Sequence, residues 1–270
     1  MDNISNFVEL NKSNKIWAIG SIHSNLKSFN SIKEFILKNF EKNDKLVFLG
    51  NIIGLGNNSK ETLSSVINLR FSLMSKFKLK PESIIFLRGA QEEMFSKLLQ
   101  LQLAPNPGEI IEWMFDHGVN ETIKSYGFSE NELKNIASSG TINISRWTTN
   151  LNKALHNNPG HTEYFLNLKH AAYSYTKKIL FVNRGVDITR PLSAQNDCFW
   201  WGFQNFSKMQ QPYKTFLRIV RGYESEHLEK FEITKDNVVC TLFKQPLSNK
   251  TILCGIFQEN GEILDLFENK

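Results

Sequence analysis

Three stretches of this chain share one pattern, and that pattern limits what the chain can fold into. Lys15–Asn25 (KIWAIGSIHSN), Lys45–Gly56 (KLVFLGNIIGLG) and Ser83–Glu93 (SIIFLRGAQEE) each run a short apolar segment into a glycine, then into polar residues and a helix-like segment. A strand that is apolar at every position is one covered on both faces. After the first stretch, Leu26, Phe29, Ile32, Ile36 and Phe40 recur at helical spacing, which predicts an amphipathic helix over Leu26–Phe40. After the second, Asn57, Asn58 and Ser59 offer cap residues for a helix reaching Phe77, with Leu63, Val66, Leu69, Leu73 and Phe77 inward. Strand, helix, strand, helix, strand requires two crossovers and so a parallel sheet. In such sheets the chemistry sits at the carboxyl ends of the strands, so the three loops are expected to converge on one site.

The rest of the chain is less regular. Residues Met1–Asn14 are polar and read as a ragged arm. A helix around Glu92–Leu101 precedes the break at Ala104-Pro105-Asn106-Pro107-Gly108. Short helical patches follow, at Ile110–His117, Asn120–Tyr126, Glu130–Ile136 and Trp147–Leu155, and they read as a helical insertion over about residues 105–169. Strand texture returns at Ala171–Tyr175 and Ile179–Val182, a hairpin through Lys177-Lys178, then at Phe216–Val220, Val238–Phe243, Thr251–Phe257 and Ile263–Phe267. Glu259-Asn260-Gly261-Glu262 predicts a type I′ turn before the last of these. The expectation is one α/β domain spanning 1–270: a mixed sheet, parallel in its first half and antiparallel in its second, with helices outside.

Composition excludes more than it selects. With Lys+Arg 32 against Asp+Glu 27 the chain is only mildly basic, and its lysines are scattered, so no nucleic-acid partner is expected. Three cysteines, Cys198, Cys240 and Cys254, with no C-x-x-C pair, indicate neither a disulfide framework nor a zinc knuckle. No signal-peptide pattern and no membrane-length apolar run is present, so a cytoplasmic location without membrane association is expected.

The loop sequences resemble those of the calcineurin-like metallophosphoesterases, in particular bacterial serine/threonine protein phosphatases. The family pattern runs GDIHG, GDYVDRG, RGNHE, HAG and GHTP, each after a strand. The corresponding stretches here are Gly20-Ser21-Ile22-His23-Ser24, Gly50-Asn51-Ile52-Ile53-Gly54-Leu55-Gly56, Arg88-Gly89-Ala90-Gln91-Glu92, Asn183-Arg184-Gly185 and Gly222-Tyr223-Glu224-Ser225. Their order agrees over nearly the whole chain. The resemblance implies a metallophosphoesterase-like mixed β-sheet sandwich flanked by helices, with a helical insertion. It also implies an ancestral centre of two divalent metals held by Asp, His and Asn.

Carried over position by position, the ligand set is mostly replaced. The first aspartate is Ser21 and its histidine is retained as His23; the bridging aspartate is Asn51; the third-motif asparagine is Ala90; the late histidines are Asn183 and Tyr223. The histidine that serves as general acid is Gln91, and the phosphate-clamping arginine is Leu55. Neutral Ser and Asn do not supply the charge that holds a dication, and alanine has no donor atom. No metal cofactor and no catalytic residue is expected on this reading. Glu92 and Asp187 match the pattern, for which a capping role suffices. Arg184 and Arg221 appear where the family has other residues, and with Arg88 they define a candidate metal-free anion site. The alternative is that one or more of them turn outward into salt bridges.

The expected function is that of a pseudophosphatase, acting by binding a protein partner or a phosphate-bearing ligand. The alternative is a phosphatase or phosphoesterase with a remodelled metal site around His23. Other signals are weaker. Gly54–Lys60 lacks the glycine that a phosphate loop needs before its lysine, and His156 and His161, flanking Asn157-Asn158-Pro159-Gly160, read as surface-loop residues. Phe199, Trp200, Trp201, Phe203 and Phe206 read as core packing.

Overall fold

Strand β2 (Ile16–Ile19) is buried along its length because it is flanked on both sides within its sheet and covered on both faces. It pairs in parallel with β3 (Lys45–Phe48) and antiparallel with β9 (Leu253–Phe257). Strand β4 (Ile84–Phe86) continues the parallel half and β10 (Ile263–Glu268) the antiparallel half, giving the order β10-β9-β2-β3-β4. A second sheet, in the order β1-β5-β6-β7-β8, packs against it and is built from β1 (Phe7–Glu9), β5 (Ala171–Tyr173), β6 (Ile179–Val182), β7 (Arg218–Arg221) and β8 (Val239–Thr241). The computed structural model describes residues 6–195, 197–203, 206, 209–223, 238–243 and 251–269.

The two-residue period of a strand divides the core between the layers. Ile16, Ala18, Val47 and Leu49 meet Phe181, Val220 and Leu242 of the other sheet. The alternate residues Trp17, Ile19, Leu46 and Phe48 face the helices. Those are α1 (Leu26–Asn39), α2 (Ser59–Phe77) and α3 (Ala90–Leu98). The expected insertion comprises α4 (Pro107–Asp116), α5 (Val119–Ser125), α6 (Glu130–Ala137), α7 (Thr141–His156) and α8 (His161–Leu166). Its Ile111, Ile123, Leu133 and Leu151 join the same apolar cluster as Ile32 and Leu63. A last short helix, α9 (Cys198–Trp201), carries Phe199 and Trp200 into the core; Phe206 is buried beside them, while Phe203 is 42% exposed. No helix among the described residues is long and apolar enough to cross a membrane.

Four expectations need correction. The arm is not wholly ragged: Phe7–Glu9 forms β1, an edge strand in parallel register with Ala171–Tyr173, while residues 1–5 lie outside the described ones. The second half of the chain is not simply antiparallel. Strands β6, β7 and β8 pair in parallel, since the long connection from Val182 to Arg218 permits a crossover that a hairpin does not. The turn before β10 is not type I′, which needs positive φ at both central residues; Gly261 has φ +91° but Asn260 does not share that conformation. A bulge between Ile263 and Asp265 then resets the register.

The fourth concerns His161, which is fully buried rather than on a surface loop. Gly160, at φ +82°, turns the chain so that His161 opens α8 against its neighbours. There its Nε2 meets Ser64 Oγ at 2.9 Å and its Nδ1 meets Tyr126 Oη at 2.6 Å. Both nitrogens are thus used to join α8 to α2 and α5. His156 is exposed at the end of α7.

A glycine after β2 lies directly against the chain leaving β8. A Cβ on Gly20 would lie 1.8 Å from the carbonyl oxygen of Leu242, just after β8. Gly20→Ala is therefore expected to cost about 1–3 kcal/mol or more of stability through forced separation of the layers, measured by urea denaturation. Burial holds the His161 pKa down at about 4. The unfolded chain takes up this proton near pH 6.5, so stability is full above that pH and falls as pH drops towards 4. His161→Gln is expected to reduce the pH dependence of the urea midpoint between about pH 7 and 5, the remainder coming from other buried histidines such as His23.

Candidate functional site

The strand ends meet through backbone hydrogen bonds that cross from loop to loop. Ile22 and His23 N–H both donate to Asn51 O, at 3.0 and 2.8 Å, and Ser24 N–H donates to Ile52 O at 2.9 Å. Ser21 N–H donates to Gly222 O at 3.0 Å, and the Gly222 and Tyr223 N–H groups donate to Asn183 O at 2.8 and 3.0 Å. Four loops, those after β2, β3, β6 and β7, are therefore locked at one place. Glu224 and Ser225, at the end of the fifth stretch, lie outside the described residues.

One carboxylate organises the second and third loops. Glu92 Oε2 accepts from Asn51 N–H at 2.8 Å and Gly89 N–H at 3.0 Å. Its Oε1 accepts from Ile52 N–H at 2.8 Å, Ile53 N–H at 3.4 Å and Tyr164 Oη at 3.1 Å. Complete burial pushes the Glu92 pKa up, while the backbone donors of Asn51, Ile52 and Ile53 pull it back. Glu92 sits in the first turn of α3, where the helix dipole also favours a negative charge.

Three of the replaced positions, Ser21, Asn51 and Gln91, are hydrogen-bonded to one another. Asn51 Nδ2 donates to Ser21 Oγ at 3.2 Å, and Asn51 Oδ1 accepts from Gln91 N–H at 3.1 Å. Asn51 holds a left-handed backbone, φ +53°, and is 1% exposed. Asn183 Nδ2 donates to Leu49 O at 2.6 Å, leaving its Oδ1 buried without a partner. Gln91 Nε2 donates to His117 O at 2.8 Å, and its Oε1 is likewise unpartnered. Ala90 begins α3 with no donor atom to offer. His23, 8% exposed, packs edge-on against Tyr223 at 5.4 Å and Phe243 at 6.2 Å, and neither ring nitrogen has a hydrogen-bond partner. Burial lowers its pKa to about 4, so the ring is neutral at pH 7.

The three arginines are engaged differently, and two of them touch: Arg221 Nη1 donates to Arg184 O at 3.5 Å. Arg88 Nη1 pairs with Glu93 Oε2 at 2.6 Å, and its guanidinium lies 5.8 Å from the Trp200 ring centroid. Arg184 lies 5.6 Å from the Tyr223 centroid. Arg221 is 2% exposed, donates from Nε to Thr241 Oγ1 at 2.7 Å and lies over Phe206. Asp187 closes a local turn instead of facing the other loops: its Oδ1 accepts from Thr189 N–H and Oγ1, and its Oδ2 pairs with Arg190. The Thr189 hydroxyl holds its pKa below the usual carboxylate value.

Beside His23 lies a cavity of about 190 Å³, bordered by Ser21, His23, Ser24, Leu55, Phe243 and Ile252 among others. Phe243 and Ile252 come from the chain flanking β8 and β9, and sequence reasoning took them only as strand residues. Nothing in their local pattern separates them from the other apolar strand positions. Positive φ at His23 (+47°), Ser24 (+59°) and Leu55 (+59°), none of them glycine, marks the loops around this cavity.

The donor chemistry at the replaced positions is one imidazole, amides and hydroxyls. The carboxylate of Glu92 is taken up by five donors. Among the described residues no three or more His, Cys, Asp or Glu side chains stand together as a metal site would require. Such a set does not fit a pair of dications, which need anionic oxygen ligands to offset their charge.

The fold itself has clear counterparts. No family model matches the chain, and no curated protein matches it in sequence. Among solved structures it is similar to a protein assigned as a diadenosine tetraphosphatase, with TM-score 0.53 and 13% identity over 98% of this chain and 99% of the other. It is also similar to a protein serine/threonine phosphatase from Saccharomyces cerevisiae, with TM-score 0.51 and 14% identity over 99% of this chain and 84% of that one. A cold-active protein tyrosine phosphatase gives TM-score 0.51 and 12% identity over 97% and 80% of the two chains. The chain has the calcineurin-like metallophosphoesterase fold, with two mixed sheets flanked by helices.

Glu92→Gln keeps the size of the side chain but turns an amide donor towards the N–H groups that the carboxylate now receives. It is expected to cost about 2–3 kcal/mol in chemical denaturation, with the loss concentrated in the second and third loops by hydrogen exchange.

Proposed function

We propose that this protein is a pseudophosphatase: a metallophosphoesterase-fold protein that binds rather than hydrolyses. The observation that carries the reading is Asn51, at the position that bridges two metals in the related enzymes. Both ends of its amide are engaged by neighbouring residues, Ser21 and Gln91. Two-metal hydrolysis requires metals that polarise the phosphate and generate hydroxide. At the matching positions this chain offers one histidine and a set of neutral groups. Gln91, where the family has its general acid, carries no titratable proton.

The rigid, hydrogen-bonded loops are a reason to retain the fold without its chemistry. They hold a cavity and a rim of exposed side chains in fixed positions, which suits recognition of a partner protein or a small ligand. Fold similarity does not by itself carry function, so this reading rests on the residues at the site.

Purified full-length protein tested with p-nitrophenyl phosphate in added Mn²⁺, with elemental analysis of the same sample, decides between binding and hydrolysis. The expected result is no stoichiometric metal and no turnover above buffer. Stoichiometric metal together with turnover abolished by His23→Ala would overturn the proposal in favour of a remodelled single-metal phosphoesterase.

A further inference from the structure

Helix α4 leaves one face without a partner in the fold. Its Ile111, Met114 and Phe115 are buried, while Glu109, Glu112, Trp113, Asp116 and the capping His117 recur at helical spacing on the exposed side. Trp113 is 45% exposed, a large aromatic surface to leave in water. Neighbouring rings hold it in place. Its ring centroid lies 4.4 Å from that of His117 and 5.8 Å from that of Trp201, and His117 Nδ1 donates to Trp113 O at 2.7 Å. A side chain fixed in advance loses little freedom when a partner covers it.

The charges on this face do not serve the helix that carries them. Glu112 and Asp116 stand one turn apart and repel each other. Asp116 is the last residue of α4, where the helix dipole disfavours an anion, and the last turn holds no basic residue. Neither carboxylate has an ion pair or a side-chain hydrogen bond among the described residues. Lys134, which packs on this helix, lies over the buried Phe115 and pairs with Glu130. In a chain of formal net charge +5, this face therefore sets uncompensated negative charge around a fixed indole.

Guanidinium groups answer both features, since arginine forks onto carboxylates and also stacks on aromatic rings, tryptophan above all. Glu112 and Asp116 are about 6 Å apart along the helix axis. Alternate residues of an extended segment are about 6.5 Å apart on one side of it. We propose that the outer face of α4 docks an extended Arg-x-Arg segment of a partner protein, its guanidiniums on Glu112 and Asp116 and one of them against Trp113. This face lies on the inserted helices, outside the replaced metal positions, so the proposal stands apart from the loss of hydrolysis.

NMR titration of the full-length, ¹⁵N-labelled protein at low ionic strength tests it, using the pentapeptides GRGRG, GKGKG and GEGEG. The Trp113 indole N–H signal is identified as the one missing from Trp113→Phe. It is expected to shift saturably with GRGRG, to respond about threefold more weakly to GKGKG, and to stay still with GEGEG. The double variant Glu112→Gln, Asp116→Gln is expected to weaken GRGRG binding about fivefold or more. The same variant removes a repelling pair, so its urea midpoint is expected not to fall, which separates lost binding from lost folding. A Trp113 signal unmoved by GRGRG, equal binding of GKGKG, or binding undiminished in the double variant would overturn the proposal.

Discussion

The arrangement of the site depends on one buried carboxylate. Glu92 gathers three consecutive N–H groups from the loop after β3, one from the turn before α3 and a hydroxyl from α8. Four of these are backbone donors in the loops that follow strands, outside the strand ladders. A charged acceptor forms the strongest hydrogen bonds with them. It also ties the parallel sheet to the helical insertion through Tyr164, so the scaffold and its added helices share a single anchoring point.

With that anchor in place, the absence of charge elsewhere becomes intelligible. A pair of metals would have offset the carboxylates around it, and removal of one without the other would leave a buried, uncompensated charge. Here Ser21, Asn51 and Asn183 are all neutral, and the retained His23 is held neutral by burial. Apart from Glu92, these positions carry no charged side chain. The charges that remain nearby are largely engaged: Arg88 is paired with Glu93, and Arg221 is turned inward to Thr241.

Much of this was legible in the residues. Apolar runs ending in glycine located β2, β3 and β4 and the convergence of their loops, because burial on both faces leaves no ambiguity of period. The neutral identities at Ser21, Asn51, Ala90 and Gln91 are plain in the sequence, at the positions that the resemblance marks. The pairing of the later strands was less visible: β6, β7 and β8 are short, and parallel register depends on where a distant crossover lands. His161 was misread because its partners, Ser64 and Tyr126, are remote in sequence, and burial by tertiary packing leaves no local periodic mark. The cavity wall at Phe243 and Ile252 was hidden for the same reason.

Asn51 also bears on how the chain can change. Its amide is bonded at both ends and it is 1% exposed. An aspartate at this position alone would set a bare carboxylate in that space, at a cost on the order of several kcal/mol. The same holds for a lone aspartate at Ser21. Neither charge becomes tolerable until a cation is bound, and no cation is bound until several charges are present. Charge at these positions and a bound cation are therefore coupled, and a single substitution supplies only one of the two.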